Sequence, residues 1–241
     1  MANFKKKCKY YLGYAWQMFK SSIPSMFMYA CAGTILMLIF LNQGDVKTLK
    51  WENKHVIWSV VCIVGAAGYD ALISWANGGS NYEMLVSGNV KRSTAEMYGS
   101  SYKMSSHKEA KEYRVWKGFV VGGIIALFPL IAGIWFGANQ TAIDESLTGG
   151  ALIAFLLSGW SLIPLYGANL TGAGVSYYLS CLFALIPICV HGGFYVAGAY
   201  ARRNKAIRQQ ILADKAAEAE ADKVKKINYG GLPGTKPKKR K

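Results

Sequence analysis

Asp70, in GYDALIS, is the one acidic residue inside an apolar segment long enough to cross a bilayer, and His191, in PICVHGGF, stands in another such segment. A charge at membrane depth is expensive, so a carboxylate there takes a partner or keeps access to water. An Asp–His pair can pass a proton or hold a cation, and that is the chemistry these two residue types would supply. Asp70 lies six residues before Ala76, where its segment ends, about 9 Å at 1.5 Å per residue. His191 precedes Arg202 by eleven residues. With both chain ends on one side, the two groups occupy the same half of the membrane. A partly hydrated aspartate and a histidine bonded to a backbone carbonyl would account for the same letters.

Other chemistry finds little support. HExxH is absent, so a zinc protease of that kind is not indicated. An aspartyl protease working at membrane depth needs two carboxylates to share a proton, and only Asp70 is available. Ser158-Gly159 with His191-Gly192 resembles the serine and histidine of an intramembrane serine protease, but Leu156 stands where that family has a glycine two before the serine. Cys181, Cys189 and His191 match no tetrahedral metal spacing, and no GxxxxGK[ST] phosphate loop occurs. The five cysteines, Cys8, Cys31, Cys62, Cys181 and Cys189, read as free thiols. No enzyme activity, metal or cofactor is therefore expected.

The elements that must position Asp70 and His191 are membrane helices. Of 241 residues, 21–44, 118–143 and 146–201 contain no Asp, Glu, Lys or Arg, whereas soluble chains are about one quarter charged throughout. Such stretches have no hydrophilic face to offer water. The fold class expected is all-α, an integral membrane helical bundle with five apolar segments at about 23–41, 55–76, 118–138, 149–167 and 175–201. Within GFVVGGIIALFPLIAGIWFGA, Gly118, Gly122, Gly133 and Gly137 share one face and predict close approach of a second helix. Lipid is as apolar as leucine, so helices in it gain by tight packing, and glycine permits that.

The net charge of +15 gathers at the chain ends and in one central stretch. Residues 1–22, with Lys5, Lys6, Lys7 and Lys9 before a run of aromatics, read as an interfacial segment. Asn77–Ser80 is expected to end the second span by turn chemistry, leaving 77–117 as a basic cytoplasmic loop whose SSHKEAKEYRVWKG forms a capped helix running into the third span. Arg202 and Arg203 open a basic tail, 202–241, helical at first and disordered from about 228. Anionic lipid headgroups are the expected contact of these charges, a membrane or cytoplasmic protein is a possible partner, and nucleic acid is the weaker reading. LFPL, LIPL and LIPI place Pro129, Pro164 and Pro187 inside the last three segments, where they predict helix breaks.

Orientation follows Lys and Arg near span ends. Five full crossings divide the basic residues poorly. If one of the last two segments enters and leaves on the same side, every Lys and Arg except Lys47, Lys50 and Lys54 falls on one side. Segment 149–167 is the candidate, because Gly149, Gly150, Gly159, Pro164 and Gly167 interrupt it most. Four spans plus one re-entrant segment, with both termini cytoplasmic, is the expectation; five ordinary spans with a translocated tail is the alternative. The functional expectation is a multi-pass membrane protein, a small transporter, channel or permease subunit, with a non-transporting scaffold that recruits partners through the basic regions as the alternative.

Overall fold

The computed structural model describes residues 2–41, 51–102, 106–109, 111–145 and 148–228. Among them the protein is all-α, with no strands. Its helices are α1 (Ala2–Leu41), α2 (Asn53–Met97), α3 (Ser106–Glu109), α4 (Val115–Ala138), α5 (Gln140–Glu145), α6 (Gly149–Leu170), then a 3-10 turn Tyr177–Leu179, α7 (Ser180–Phe183) and α8 (Leu185–Asn228). Five helical stretches are long and apolar enough to cross a membrane: Lys7–Phe40, Asn53–Met97, Val115–Ala138, Gly149–Leu170 and Tyr177–Ala221. Their outward faces are greasy, with Phe27, Leu38, Val64, Leu72, Ile131 and Leu182 all exposed, the pattern of surface made for lipid.

α1 does not stop to let an interfacial segment lie apart from the span. It is one helix of 40 residues that runs through Pro24. Met18, Ser22, Ser25, Tyr29, Ala32, Leu36 and Phe40 are buried at spacings of three and four, so a single stripe faces the bundle from below the proline to the far end. The Ser22 hydroxyl donates to the Phe19 carbonyl at 2.7 Å and the Ser21 hydroxyl to that of Met18 at 2.7 Å, just before the proline.

α2 departs further from expectation. Instead of turning at Asn77–Ser80 it continues as helix to Met97. Gly78 is there for contact: a Cβ on it would stand 1.9 Å from the Tyr195 carbonyl oxygen, and a Cβ on Gly198 would stand 2.0 Å from that of Trp75. α2 and α8 thus cross backbone to backbone. The true stop is Gly99, at φ +67. Its N–H donates to the Glu96 carbonyl at 2.9 Å and that of Ser100 to Ala95 at 2.9 Å, the paired bonds of a Schellman motif. The stretch after it is no capped helix running into the third span, because α3 ends at Glu109 and Arg114 is extended before α4.

Four of the five glycines of α4 meet the last apolar segment. A Cβ at Gly118 would lie 2.7 Å from Tyr195, at Gly122 2.7 Å from the Pro187 carbonyl, at Gly133 2.9 Å from Ser180 and at Gly137 2.6 Å from the Tyr178 ring. Rising numbers on α4 meet falling numbers opposite, so the two segments are antiparallel. α4 is continuous through Pro129. Pro187 is the third residue of α8 and follows the break between α7 and α8 within one turn, where it has no N–H to give the Phe183 carbonyl. The turn between α7 and α8 falls at Ala184.

α6 is bent back on itself. Ser158 leaves helical geometry at φ −134, ψ 18, and Pro164 lies within the second arm and not at the bend. Phe155 and Tyr166 have ring centroids 5.5 Å apart, although eleven residues of straight helix would separate them by about 16 Å. Both ends of α6 lie by the C-terminal end of α4. A Cβ on Gly150 would meet Trp135 at 3.2 Å, while the Val175 carbonyl, just past the other end, accepts from Gln140 at 3.3 Å and Asn169 at 2.8 Å. The second arm climbs along α1, from Trp160 against Tyr29 to Tyr166 against Phe40.

Chain contacts divide the molecule into residues Met1–Ala199 and Tyr200–Lys241. In the second unit α8 is helical to Asn228, and Tyr200–Ala221 is exposed on every side. The expected disordered run after 228 lies outside the described residues.

Candidate functional site

Asp70 and His191 meet. Asp70 sits on the buried stripe Ala66, Asp70, Ser74, Gly78 of α2, and the Gly78–Tyr195 and Gly198–Trp75 approaches hold α8 close enough for contact. His191 Nδ1 lies 2.7 Å from Asp70 Oδ1, with both side chains almost fully buried. Ser74, one turn beyond Asp70, donates its hydroxyl to the His191 carbonyl. On the other side, Gly122 of α4 leaves room for the His191 Cβ, which a methyl there would approach to 3.3 Å. His191 on α8 is thus held between α2 and α4.

Three further polar atoms lie buried in α1 and α2. Asp70 Oδ2, Tyr29 Oη and Ser25 Oγ meet no hydrogen-bond partner among the described residues. Tyr29 is near enough to Asp70 to interact with its carboxylate. Ser25 and Tyr29 are one helical turn apart, as are Asp70 and Ser74. That i, i+4 spacing of polar residues on apolar helices is the signal the sequence carries for Ser25, Tyr29 and Ser74. The Tyr29 ring in turn packs against Trp160 at 4.8 Å, just past the bend in α6. At the bend the Ser161 hydroxyl donates to the Ser158 carbonyl at 2.9 Å and receives from Ser180 at 3.0 Å.

His191 also lines a cavity of about 330 Å³ among α1, α2, α4 and α8. Tyr195 lines it one turn on, bonded by Asn81 at 3.0 Å and stacked on Tyr113 at 5.3 Å. Lys20, Lys111 and Lys117 line it, and among the described residues no carboxylate does. Lys117 is held by the carbonyls of Glu112 at 2.5 Å and Glu109 at 3.1 Å and lies 5.0 Å from the Tyr14 ring centroid. The Glu112 carboxylate is turned to Arg92 at 2.6 Å.

The remaining candidate residues fall elsewhere. Lys7, Lys9, Arg202 and Arg203 are exposed, while the side chains of Lys5 and Lys6 lie outside the described residues. Ser158 is buried at the bend, and no hydrogen bond joins it to His191 among the described residues. Nor, among those residues, do three or more His, Cys, Asp or Glu gather as a metal would need.

No family model matches this sequence, and neither a curated protein nor a solved structure matches it.

Proposed function

We propose that this chain is a small proton-coupled membrane transporter in which Asp70 and His191 are the proton-handling pair. The observation that carries this reading is the 2.7 Å contact between His191 Nδ1 and Asp70 Oδ1 on the wall of the cavity. A buried carboxylate is retained in a membrane core at a cost, and pairs of this kind mark proton and ion pathways. The imidazole has one nitrogen on the carboxylate and a second for a proton arriving from the cavity, so a proton can be exchanged without leaving the aspartate unpaired. The bent α6 supports the same reading, since folded-back helices at membrane depth occur where protein covers them or a cavity is lined.

Four crossings, by α1, α2, α4 and the last segment, with α6 entering and leaving on one side, give the topology that goes with this function. The cavity then opens on the side that holds Lys20 and Lys111, the cytoplasmic side by charge. Lys7, Lys9, Arg202 and Arg203 would face anionic headgroups there. The chain carries out no covalent chemistry in this reading.

The test is proton flux in reconstituted vesicles containing a pH-sensitive dye. Wild-type protein is expected to dissipate an imposed pH gradient when substrate is supplied, and Asp70→Asn to abolish that flux while remaining folded. Unchanged flux in Asp70→Asn would end the proposal. The helix Tyr200–Ala221, exposed on all sides, favours a second reading as a partner-recruiting scaffold. Loss of a bound protein on deleting 206–241, with no flux in the intact chain, would support that reading instead.

A further inference from the structure

Asp70 has two carboxylate oxygens, and His191 takes up one of them. Oδ1 lies on the imidazole, whereas Oδ2 is buried and meets no hydrogen-bond donor among the described residues. A carboxylate oxygen left bare in an apolar core costs free energy that a single donor relieves. Tyr29 of α1 is a donor within reach: its hydroxyl is buried, has no hydrogen-bond partner of its own among the described residues, and lies close enough to Asp70 to interact with that carboxylate. Ser25 also has an unpartnered hydroxyl, but a serine can turn to a carbonyl of its own helix. A tyrosine hydroxyl stands at the far end of a ring and has no such local alternative. The Tyr29 ring is set against Trp160, with 4.8 Å between centroids, and the phenol proton turns about its C–O bond to suit an acceptor.

We propose that Tyr29 is the positioning residue of the Asp70–His191 pair: its hydroxyl donates to Asp70 Oδ2, so that α8 holds one carboxylate oxygen and α1 the other, and this bond sets how tightly the pair holds a proton. A donor to a carboxylate favours its ionised form over the protonated one. A proton that reaches the pair from the cavity is therefore held loosely enough to leave again. Tyr29 keeps its own proton throughout, and the only bond made and broken is the O–H or N–H of the pair. The other titratable groups facing the pair are Tyr195 from α8 and, on the cavity, Lys20 from α1, Lys111 from the segment after α3 and Lys117 from α4. On α2 the buried stripe Ala66, Asp70, Ser74, Gly78 holds no other, and α6 has only Tyr166, which packs on Phe40. This inference rests on the transport reading in giving the pair a proton to pass on; the bond itself does not need transport.

The experiment is a pH titration of the full chain in lipid vesicles by solid-state NMR, with labelled aspartate and histidine. Signals lost in Asp70→Asn and in His191→Gln identify the pair, and the midpoint at which the pair takes up its proton is the readout, whichever residue holds it. Tyr29→Phe removes the hydroxyl and keeps the ring on Trp160. Its midpoint is expected to rise by about one pH unit, a ten-fold gain in proton affinity. A ring-fluorinated tyrosine at the same position is a stronger donor and is expected to lower the midpoint, whereas a tyrosine that only fills space would move it in neither case. Ser25→Ala is expected to leave it unchanged. A midpoint that stays put in Tyr29→Phe, or with the fluorinated ring should that variant not fold, overturns the proposal, and so does an equal rise in Ser25→Ala. Proton flux in the same vesicles separates this inference from the transport reading. The expected shift without flux in the wild-type protein overturns the transport reading alone, flux with an unmoved midpoint overturns the Tyr29 assignment alone, and a folded wild-type pair that takes up no proton overturns both.

Discussion

Gly33 of α1 lies backbone to backbone with Gly159 at the bend of α6. A Cβ on Gly33 would stand 2.9 Å from the Gly159 nitrogen and 3.1 Å from the Phe155 carbonyl, and one on Gly159 would stand 3.0 Å from the Gly33 carbonyl. Both obstacles are backbone, which cannot rotate aside. Gly33→Ala is therefore expected to destabilise the protein by about 1–3 kcal/mol, the usual cost of overpacking. Gly123→Ala is the matched control, because nothing lies within 4 Å of its Cβ position. It should be neutral or stabilising by up to about 1 kcal/mol, as alanine is the better helix former. Thermal unfolding in detergent reads both, and equal melting temperatures for the two variants would contradict the close approach.

The fold-back of α6 makes a prediction about sidedness. In a background with the five cysteines replaced, Thr148→Cys and Ala173→Cys flank the two ends of α6. Both are expected to react with a membrane-impermeant thiol reagent from the same side of intact vesicles. Lys91→Cys and Lys215→Cys are expected to react from the other. Labelling of Thr148→Cys and Ala173→Cys from opposite sides would make α6 an ordinary span and place the chain ends on opposite faces.

Much of this arrangement is legible in the letters, and the parts that are not have identifiable causes. The glycine face of α4 could be read because small residues at membrane depth have one main use, and GxxxG spacing locates them on one side. Asp70 and His191 could be singled out because charge in an apolar run is costly. Gly78 and Gly79 misled because a glycine pair after asparagine is also turn chemistry; only the backbone of Tyr195, over a hundred residues away, shows that Gly78 is a contact. Of the prolines, Pro129 lies in a continuous helix, Pro187 directly follows the division of the last segment at Ala184, and the bend in α6 occurs at Ser158, away from Pro164, where Gly159 packs on Gly33. Tyr29 belongs to a helix rich in apolar residues, and its hydroxyl takes on meaning only beside Asp70.

The Asp70–His191 contact predicts coupled losses. Asp70→Asn leaves a group able to share a hydrogen bond with the imidazole, whereas His191→Ala leaves a buried carboxylate without its partner. That second variant is expected to be the more damaging in stability, because an unpaired buried charge costs several times what the pair contributes, on the order of 3–5 kcal/mol. Combining the two should restore part of the loss, giving a coupling energy of about 1 kcal/mol or more in an unfolding cycle. Proton flux should fall in each single variant and no further in the double. Strictly additive effects on stability and on flux would show that the two residues act separately despite their distance.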